Sequence, residues 1–597
     1  MSDTLRLNGA QALVRSLLIE DLSQVFGLVG GKLAPLLKAI AGEPRLTYTG
    51  VRHEAAAAMM AAGYAAGTGK VALALGEMGP GTLNLASGLG VAFNNNLPVL
   101  AITTNQHRAA AYPHSGMFMD LDALALTRPI TKWNAVVHDP RRIPELVRRA
   151  FREALSGRPG PVHLDVPQDV LAAPCEFGAD AFDLAPAQYR ALTRPRPDRA
   201  ALAEAARLIA GARRPLIIAG GGVVASGGAP QVRALAALLK APVLPTQMAL
   251  GVIASDSPHF IGHGGLIAGE AVWQAIARAD VVVSVGCRHS SWMWDERGPL
   301  VRRTHRVISI NLDPAALGAP VAHDVAMQAD AAAALDDLQD ALADAGPTAS
   351  EPGWLNEAHG LRRAYRAKLD GLADEPGEVM HPAALARAVA DSFPADALAV
   401  YDGGHTTFWS NDFTPVAAVR TRFHDPMMSH LGFGLPYALA LKRAHPTRPV
   451  LLMTGDGAFG FTLNELDTAR RYGLAVIVVI HNNAAWGIIR AGQKNQGGFE
   501  LGSLLEGTDY AAIARGFGCH GEVVSNVADL GPAIARALAS GMPAVLDCRT
   551  RFVPHPCLPG FGAMNRYGFD ALAGITTAVS AAAGAASSAP PSIQKAS

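Results

Sequence analysis

Short runs of apolar residues alternate with longer, alanine-rich stretches along most of the chain. The runs include "VALALG" from Val71, "LPVLAIT" from Leu97, "ADVVVSVG" from Ala279, "RPVLLMTGDG" from Arg448 and "LAVIVVIHNN" from Leu474. Uninterrupted apolar runs of this length are typical of strands buried on both faces of a parallel sheet, with crossover helices between them. The sequence therefore predicts an α/β protein built from doubly wound parallel sheets.

Two stretches rich in proline, glycine and charged residues interrupt this pattern, as linkers do. They are "EFGADAFDLAPAQYRALTRPRPDRA" from Glu176 and "DAGPTASEPGW" from Asp344. They divide the chain into three predicted domains, at residues 1–185, 190–345 and 375–570, each of ordinary domain size. Residues 575–597 offer too little apolar surface to offset the entropy of ordering, so we expect a disordered tail there.

The composition narrows the classes of function. The chain has 597 residues, of which 50% are hydrophobic, and its 51 basic residues balance 51 acidic ones. Nucleic acid and anionic membranes usually require a basic surplus, so we expect a small-molecule substrate instead. We find neither a signal peptide nor about 18 consecutive uncharged apolar residues, which argues against export and a membrane span. Five cysteines without CxxC spacing favour a reducing cytoplasm.

Two polar motifs follow consecutive predicted strands in the third domain. Gly455-Asp456-Gly457 comes directly after "VLLMT", and Asn482-Asn483 comes after the next strand. A crossover helix brings the ends of two such strands side by side, at the edge where open α/β sheets bind ligands. Asp456, Asn483 and a nearby backbone carbonyl would then offer oxygen ligands that suit Mg²⁺ and a bound diphosphate. Each motif alone is also typical of a tight turn, but the pair at this spacing favours a site.

This pair of motifs, GDG followed about two dozen residues later by NN, resembles the signature of thiamine diphosphate-dependent enzymes. The segment "LNELDTARRYGLAVIVVIHNNAAWG" is similar to the branch that contains acetolactate synthase and benzaldehyde lyase, and the similarity extends to about residue 565. The resemblance implies thiamine diphosphate and Mg²⁺ as cofactors, with Asp456, Asn483 and the backbone oxygen of Ala485 as metal ligands. It also implies a pyrimidine-binding first domain, a central domain and a diphosphate-binding third domain.

Glu54 opens an alanine-rich predicted helix in "RHEAAAAMMAAGYAAGTGK". A glutamate at a helix start is often explained by the helix dipole alone. The next segment, "GPGTLNLASGLGVAFNNNLPVLAIT", nevertheless resembles the pyrimidine-binding domain of acetolactate synthases. The resemblance implies that Glu54 hydrogen-bonds the aminopyrimidine ring and promotes the tautomer that removes the C2 proton of the thiazolium. Different chains hold the two ends of the cofactor in this family, so a homodimer or homotetramer is also implied.

Two further segments of the third domain resemble cofactor-binding loops. "YDGGHTTFWSND" is similar to "DGALTYLW" of benzaldehyde lyase, which implies diphosphate contacts near its helix start, and "SHLGFGLPYALALK" is similar to the family's "TMGYGLPAAIGAQ", which implies a leucine that supports the bent cofactor. The expected cofactor-binding residues are Glu54, Gly404, His405, Thr406, Leu431, Gly455, Asp456, Gly457, Ala458, Asn483 and Trp486.

Departures from the family pattern indicate where the substrate is recognised. Acetolactate synthases have "PGGA" in the first glycine turn and "AFQEAD" further on, where this chain has "VGGKL" and "MFMDLD". Lys32 replaces a small residue beside the expected reaction centre, and Met119 stands at the family's active-site glutamine. Lys32 is either a solvated surface charge or a cation for an acidic substrate group. His114 is either a proton-transfer residue or a loop histidine without a catalytic role.

The central domain leaves the question of a nucleotide open. "LIIAGGGVVASGG" and "SVGCRHSSWMWDERGP" lie where acetolactate synthases hold FAD and acyl-CoA lyases hold an ADP moiety. A glycine-rich turn after a strand is weak evidence on its own. Arg288 matches a family arginine, but the following "HSSW" departs from the "FDDR" of acetolactate synthases, which argues against FAD. FAD, a CoA-type nucleotide and no nucleotide therefore all remain alternatives.

The favoured function is an acetolactate synthase-like carboligase or decarboxylase that acts on a 2-oxo acid with thiamine diphosphate and Mg²⁺. A lyase for 2-hydroxyacyl-CoA or benzoin-type substrates is the alternative within the family. A nicotinamide-dependent dehydrogenase would rest on the central glycines but would leave Asp456, Asn483 and Glu54 unexplained. A non-catalytic subunit would have no need of these three residues. The sequence identifies neither the donor nor the acceptor.

Overall fold

The computed structural model describes residues 4–111, 114, 116–265, 269–295, 298–318, 320–345 and 348–557. The tail predicted at residues 575–597 lies outside this part of the chain. Helices and strands alternate along the described residues, as the apolar pattern predicts.

The first part of the chain forms a six-stranded sheet covered by helices. The described residues of this part contain eight strands, six of which form the sheet: β1 (Leu5–Asn8), β2 (Gln24–Gly27), β3 (Thr47–Gly50), β4 (Ala72–Gly76), β5 (Val99–Asn105), β6 (Trp133–Val136), β7 (Val162–Pro167) and β8 (Pro174–Phe177). Its helices are α1 (Gly9–Ile19), α2 (Ala34–Ala41), α3 (Glu54–Thr68), α4 (Pro80–Asn94), α5 (Arg108–Ala111), α6 (Ala123–Thr127), α7 (Ile143–Leu155) and α8 (Gln168–Ala172). The strand order is β3-β2-β4-β5-β7-β6, and every pair is parallel. Strands β1 and β8 form a separate antiparallel pair.

The central part forms a five-stranded sheet. Its strands are β9 (Pro215–Ala219), β10 (Val243–Pro245), β11 (Val281–Val285), β14 (Arg306–Asn311) and β15 (Val325–Gln328), with a small hairpin of β12 (Trp294–Asp295) and β13 (Gly298–Pro299). Its helices are α9 (Arg199–Ala210), α10 (Gly221–Ser226), α11 (Ala229–Leu239), α12 (Glu270–Arg278) and α13 (Ala331–Ala345). The strand order is β10-β9-β11-β14-β15, again with parallel pairs.

The last part forms a second six-stranded sheet, in the order β17-β16-β18-β19-β21-β20 with parallel pairs. Its strands are β16 (Leu398–Asp402), β17 (Arg422–Phe423), β18 (Val450–Gly455), β19 (Ile477–Asn482), β20 (His520–Val524) and β21 (Ala544–Arg549). Its helices are α15 (Pro382–Ser392), α16 (Gly404–Phe413), α17 (Gly434–Ala444), α18 (Asp456–Gly460), α19 (Glu465–Arg471), α20 (Gly487–Gly497), α21 (Tyr510–Gly516) and α22 (Val527–Ala539). A 20-residue helix, α14 (Trp354–Ala373), precedes this part.

The prediction of three doubly wound parallel sheets is confirmed. Every residue of β4, β9 and β11 is buried, because helices cover both faces of each sheet. This burial explains why the apolar runs show no alternation with polar residues. Helix α14 lies between the second and third predicted domains, and the sequence assigned it to neither. The exact domain bounds remain a prediction. Among the described residues, no helix combines the length and the hydrophobicity that crossing a membrane requires.

Helix α3 joins the first and last sheets, since it packs between α4 and α17. Thirteen of its 15 residues are buried, so it has no solvent face. Glycines allow the close approach of the neighbouring helices. A Cβ atom at Gly63 would lie 2.8 Å from the Cα of Tyr437 in α17, and one at Gly88 of α4 would lie 2.6 Å from the carbonyl oxygen of Ala55. The alanine and glycine content of α3 is therefore a packing requirement of the core.

We expect Gly63→Ala to lower the free energy of unfolding by about 1–3 kcal/mol, because the new methyl group would press on the backbone of α17. Gly371→Ala is the matched control: Gly371 also lies inside a helix, α14, but has no neighbouring atom within 4 Å. Gly371→Ala should raise the free energy of unfolding by about 0.5–1 kcal/mol, because alanine has a higher helix propensity than glycine. Urea unfolding midpoints measure both, and equal shifts in the two variants would contradict the packing argument.

Candidate functional site

The carboxyl ends of β18 and β19 form the centre of the candidate site. Asp456 is the first residue of α18, directly after β18, and it is 3% exposed. Strand β19 pairs in parallel with β18, so the loop with Asn483 begins beside it. Ala484 has a φ of 50°, which is uncommon for a residue with a Cβ atom, and the next backbone N–H, that of Ala485, donates to the Asp456 carboxylate at 3.2 Å.

The polar atoms at this edge fit a divalent cation. Burial raises the pKa of Asp456 to about 6. The side-chain oxygen of Asn483 is buried and has no hydrogen-bond partner among the described residues. A buried carboxylate and an unpartnered amide oxygen are both stabilised when a cation binds between them. The described residues contain no cluster of three His, Cys, Asp or Glu side chains that could hold a metal ion. A site built from one carboxylate, one amide and one backbone carbonyl does not require such a cluster, and it suits Mg²⁺ with a phosphate ligand.

The N-terminus of α16 faces the same region. Gly403, with φ 89°, precedes the helix, and His405 and Thr406 lie in its first turn. His405 is 7% exposed, burial lowers its pKa to about 3, and neither ring nitrogen has a hydrogen-bond partner in the described part of the chain. A Cβ atom at Gly487 would lie 2.8 Å from Nδ1 of His405 and 3.3 Å from Nδ2 of Asn483. A helix N-terminus and an unpartnered imidazole are suited to an anion next to the proposed cation.

The other predicted cofactor contacts lie around these two groups. The indole ring of Trp486 covers Gly457, where a Cβ atom would be 2.6 Å from the ring. A Cβ atom at Gly455 would lie 3.4 Å from the hydroxyl of Thr406. Ala458 is buried next to Gly403. Gly404 packs against the side chain of Ile488. Leu431, which precedes Gly432, is half-buried. The structure therefore brings the predicted third-domain residues to one sheet edge, and their binding roles remain predictions.

Sequence reasoning missed Asp402, the last residue of β16. Its carboxylate is buried and accepts hydrogen bonds from the backbone of Gly432 at 3.0 Å and Gly434 at 2.9 Å. Burial raises its pKa to about 7. Asp402 thus fixes the segment that follows Leu431 against the sheet. The available signal was its position, since a carboxylate directly after a buried strand and before two glycines is typical of a site edge.

Glu54 lies at the edge of the first sheet, shortly after the end of β3. It is the first residue of α3 and is 6% exposed. Asn84 of α4 donates to its Oε2 at 3.0 Å, and a Cβ atom at Gly81 would lie 3.1 Å from its Oε1. Within the described residues, Glu54 makes no hydrogen bond to the Asp456 group. One chain therefore contains both halves of the predicted site, in different domains.

Lys32 lies in the glycine turn after β2 and is half-buried. Its ammonium donates to the side-chain oxygen of Gln168 at 2.9 Å, and no carboxylate among the described residues forms an ion pair with it. The backbone N–H groups of Lys32 and Leu33 donate to the carboxylate of Glu77, at distances of 3.1–3.3 Å. Glu77, which sequence reasoning also missed, thus fixes the turn that carries the lysine. The remaining charge of Lys32 is available to an acidic group.

His114 and Met119 belong to an exposed segment at the same sheet edge. The Nδ1 atom of His114 forms a short hydrogen bond with the carboxylate of Asp120, so the ring has an acidic partner. Met119 has a φ of 61°, and its carbonyl oxygen would lie 2.7 Å from a Cβ atom at Gly79. This segment therefore covers the glycine turn that starts α4.

A cavity of about 430 Å³ lies where the three domains meet. Glycines 220–222 and Gly286 line it on the central-domain side. Arg288 donates to the backbone oxygen of Asn94 at 3.0 Å, and Arg158 pairs with Asp313 at 3.2 Å. Basic groups and a glycine turn at a strand end are features of nucleotide sites.

Comparison with known proteins places these features in a family. Three domain models of thiamine pyrophosphate enzymes match: the N-terminal binding domain at residues 7–126, the central domain at 202–338 and the C-terminal binding domain at 402–548. A probable acetolactate synthase large subunit of Methanocaldococcus jannaschii is 30% identical over 91% of both chains. Acetolactate synthase isozyme 2 large subunit of Escherichia coli is 29% identical over 90% of this chain and 95% of its own. A probable 2-ketoarginine decarboxylase of Pseudomonas aeruginosa is 34% identical over 86% and 89%.

The charge state of Asp456 gives a stability prediction for the protein without metal. Its pKa rises from 3.8 to about 6 on folding, so ionisation opposes folding fully above about pH 6 and not at all below about pH 4. We expect Asp456→Asn to stabilise the metal-free protein at pH 7.5 by up to about 3 kcal/mol and to have little effect at pH 4. Urea unfolding in EDTA at both pH values measures this.

The effect of added metal and cofactor on the two proteins provides a second test of the role of Asp456. Mg²⁺ with thiamine diphosphate should raise the unfolding midpoint of the wild type and leave that of Asp456→Asn nearly unchanged, because ligands stabilise only the state that binds them. Equal stabilisation of the two proteins would contradict the assignment of Asp456 as a metal ligand.

Proposed function

The chain belongs to the thiamine diphosphate-dependent enzymes, in their acetolactate synthase-like branch, and we propose that it acts as a carboligase or decarboxylase on a 2-oxo acid. The observation that carries this proposal is the convergence of Asp456, the unpartnered oxygen of Asn483 and the unpartnered ring of His405 at one sheet edge. The relatives support the substrate class, since 2-ketoarginine is itself a 2-oxo acid. They do not favour the lyase alternative.

The third-domain residues would hold the cofactor by its diphosphate. In our proposal Mg²⁺ binds Asp456, Asn483 and the carbonyl oxygen of Ala485, while His405 and the first turn of α16 bind the phosphate oxygens. Leu431, Ala458 and Trp486 would line the space above them. When bound, thiamine diphosphate supplies a carbanion that adds to the substrate carbonyl and takes up the electron pair left by departing carbon dioxide.

Glu54 would hold the proton of the aminopyrimidine ring. Asn84 donates to one of its carboxylate oxygens, and the other lies close to Gly81, where a Cβ atom would be 3.1 Å away. A carboxylate screened from water can share a proton with a ring nitrogen and stabilise a tautomer that water would not. His114, with Asp120 as its acidic partner, is proposed to exchange protons with the substrate.

A second copy of the chain would complete the site. Large apolar side chains are exposed in both domains that carry the proposed site: Val29, Leu83 and Phe118 in the first domain, and Phe461 and Ile489 in the third, each at least 55% exposed. Burying such faces against each other is a common driving force of association. We propose a homodimer, or a homotetramer built from it, in which the first domain of one chain meets the third domain of another.

We propose that the cavity between the domains binds a nucleotide. Its volume of about 430 Å³ is within the usual range of ligand pockets, and its arginines suit phosphate groups. The rings of Trp292 and His424 pack against each other at 5.5 Å in one wall of this cavity. FAD and a CoA-type nucleotide are separated by the absorbance and mass of the small molecules that denaturation releases from the purified protein.

The test of the function is a screen of 2-oxo acids for carbon dioxide release, with and without aldehyde or 2-oxo acid acceptors. Thiamine diphosphate should be required, and EDTA should abolish turnover. A protein that binds thiamine diphosphate but releases no carbon dioxide from any 2-oxo acid, and cleaves 2-hydroxyacyl compounds instead, would contradict the proposed function.

Glu54→Gln should keep the cofactor but slow the exchange of its C2 proton for deuterium by about a hundredfold or more, because the shape is preserved and the titrating group is lost. Proton NMR of the acid-quenched cofactor measures the rate. Mixing Glu54→Gln and Asp456→Ala chains should restore part of the activity, since a mixed dimer contains one intact site. An unchanged exchange rate would exclude the role of Glu54, and the absence of restored activity would contradict the shared site.

Lys32→Met should lower kcat/KM by about 30- to 1,000-fold on a 2-oxo acid with a second acidic group, if that group pairs with the ammonium. Lys38→Met is the matched control, because Lys38 is an exposed lysine of α2. Its replacement should lower kcat/KM by less than about twofold. The loss should disappear on the analogue whose second acidic group is an amide. Equal losses on acid and amide would make Lys32 a structural residue.

A further inference from the structure

Glu465 is a fully buried carboxylate that no cofactor or substrate role explains. It is the first residue of α19, in the domain of the last sheet, and its exposure is 0%. Burial raises its pKa to about 7. A buried carboxylate is retained at a cost to stability unless its hydrogen bonds are satisfied, so its partners indicate its task.

The partners of Glu465 are backbone groups at the start of α3, in the other domain. Its carboxylate accepts hydrogen bonds from the N–H of Arg52, at 3.0 and 3.2 Å to the two oxygens, and from the N–H of His53. The hydroxyl of Thr468 donates to it at 2.6 Å. His53 is the N-cap of α3, and Glu54 is the first residue of that helix. The carboxylate therefore binds the two residues immediately before Glu54.

The end of helix α19 and the residue that follows it also hold the end of the strand that leads to this loop. Arg471 donates to the carbonyl oxygen of Gly50 at 2.7 Å, and the hydroxyl of Tyr472 accepts from the N–H of Gly50 at 2.8 Å. Gly50 is the last residue of β3. Both polar backbone groups of Gly50 and the N–H groups of Arg52 and His53 are thus fixed from one side, across the domain boundary.

We propose that Glu465 is a positioning residue for Glu54: by binding the backbone at residues 52 and 53, it sets where the Glu54 carboxylate meets the aminopyrimidine ring. The proposal rests on the function proposed above for Glu54. Glu465 does not touch the cofactor in this arrangement. It acts through the loop between β3 and α3. Because the backbone is held at Gly50, Arg52 and His53, the side chain of the next residue, Glu54, has little freedom to shift. A displacement of about 1 Å at a reacting group can cost up to a hundredfold in rate.

The position of Glu465 in the chain gives this contact a second consequence. It follows Asp456 by nine residues, through the short helix α18. In the proposed dimer, Glu54 serves the cofactor whose diphosphate is held by the other chain. One continuous segment of each chain therefore carries the metal ligand of one site and the support for the acid of the other site.

The first measurement needs no cofactor. In the cofactor-free protein, Glu465→Gln should speed backbone amide hydrogen exchange in the peptide that covers residues 50–56 by about tenfold or more, because a carboxamide cannot accept all three hydrogen bonds. Thr468→Val removes only the hydroxyl donor, preserves the shape, and should give a smaller change in the same direction. It also serves if Glu465→Gln does not fold. Asp467→Asn is the matched control on the same helix: its partly exposed carboxylate pairs with the side chains of Arg52 and Arg471 but, in the described part of the chain, with no backbone group of residues 50–56.

The second measurement is C2 proton exchange of bound thiamine diphosphate. Glu465→Gln should slow it by about tenfold with cofactor affinity within about twofold of the wild type, and Asp467→Asn should leave it unchanged. The double variant Glu54→Gln/Glu465→Gln should be no slower than Glu54→Gln alone, because a residue that acts through another adds nothing once that residue is lost.

The outcomes separate the two proposals. Slow exchange in Glu54→Gln together with wild-type exchange in both Glu465→Gln and Thr468→Val would overturn the positioning role alone. Additive slowing in the double variant would also overturn it, since Glu465 would then act by another route. Unchanged exchange in Glu54→Gln would overturn the proposed function of Glu54, and the positioning role with it.

Discussion

The close packing of α3 against α4 and α17 is the constraint on which the site depends. This helix is buried on all sides, and glycines at positions 63 and 88 remove the side chains that would hold its neighbours apart. The packing joins the first domain to the third and leaves the start of the helix, with Glu54, at the sheet edge. Glu54, which is proposed to act on the cofactor, is therefore placed by a helix whose composition is set by packing.

Buried polar groups in this protein fall into two kinds. Glu465 and one oxygen of Asp402 accept backbone hydrogen bonds, and they fix chain segments around the candidate site. Asn483 and His405 have buried polar atoms without partners in the described chain, and both lie where the cofactor is proposed to bind. Because an unpartnered buried polar atom costs stability, its presence at one edge is physical support for a ligand there. The satisfied oxygens hold the shape of the edge, and the unsatisfied atoms of Asn483 and His405 are those proposed to bind the cofactor.

The region proposed to recognise the substrate is built differently, from partly buried charged side chains. Glu77 fixes the turn of Lys32 through backbone hydrogen bonds, and Gln168 orients the ammonium without neutralising it. A neutral partner leaves the cation able to attract an acid, whereas a carboxylate partner would have cancelled its charge. The proposed site would thus combine a buried cofactor region with a polar region whose sequence differs from that of acetolactate synthases.

The sequence alone determined the fold class and the third-domain edge, because apolar runs mark buried parallel strands and the motifs around Asp456 and Asn483 follow two adjacent strands. A local pattern of residues is therefore sufficient to predict both the fold class and this sheet edge. The roles of Asp402, Glu77 and Glu465 depend on contacts with residues 30 to more than 400 positions away in the chain, which no local pattern encodes. Only the tertiary structure decided these contacts, because they form when helices from separate domains pack against the loops that carry the site.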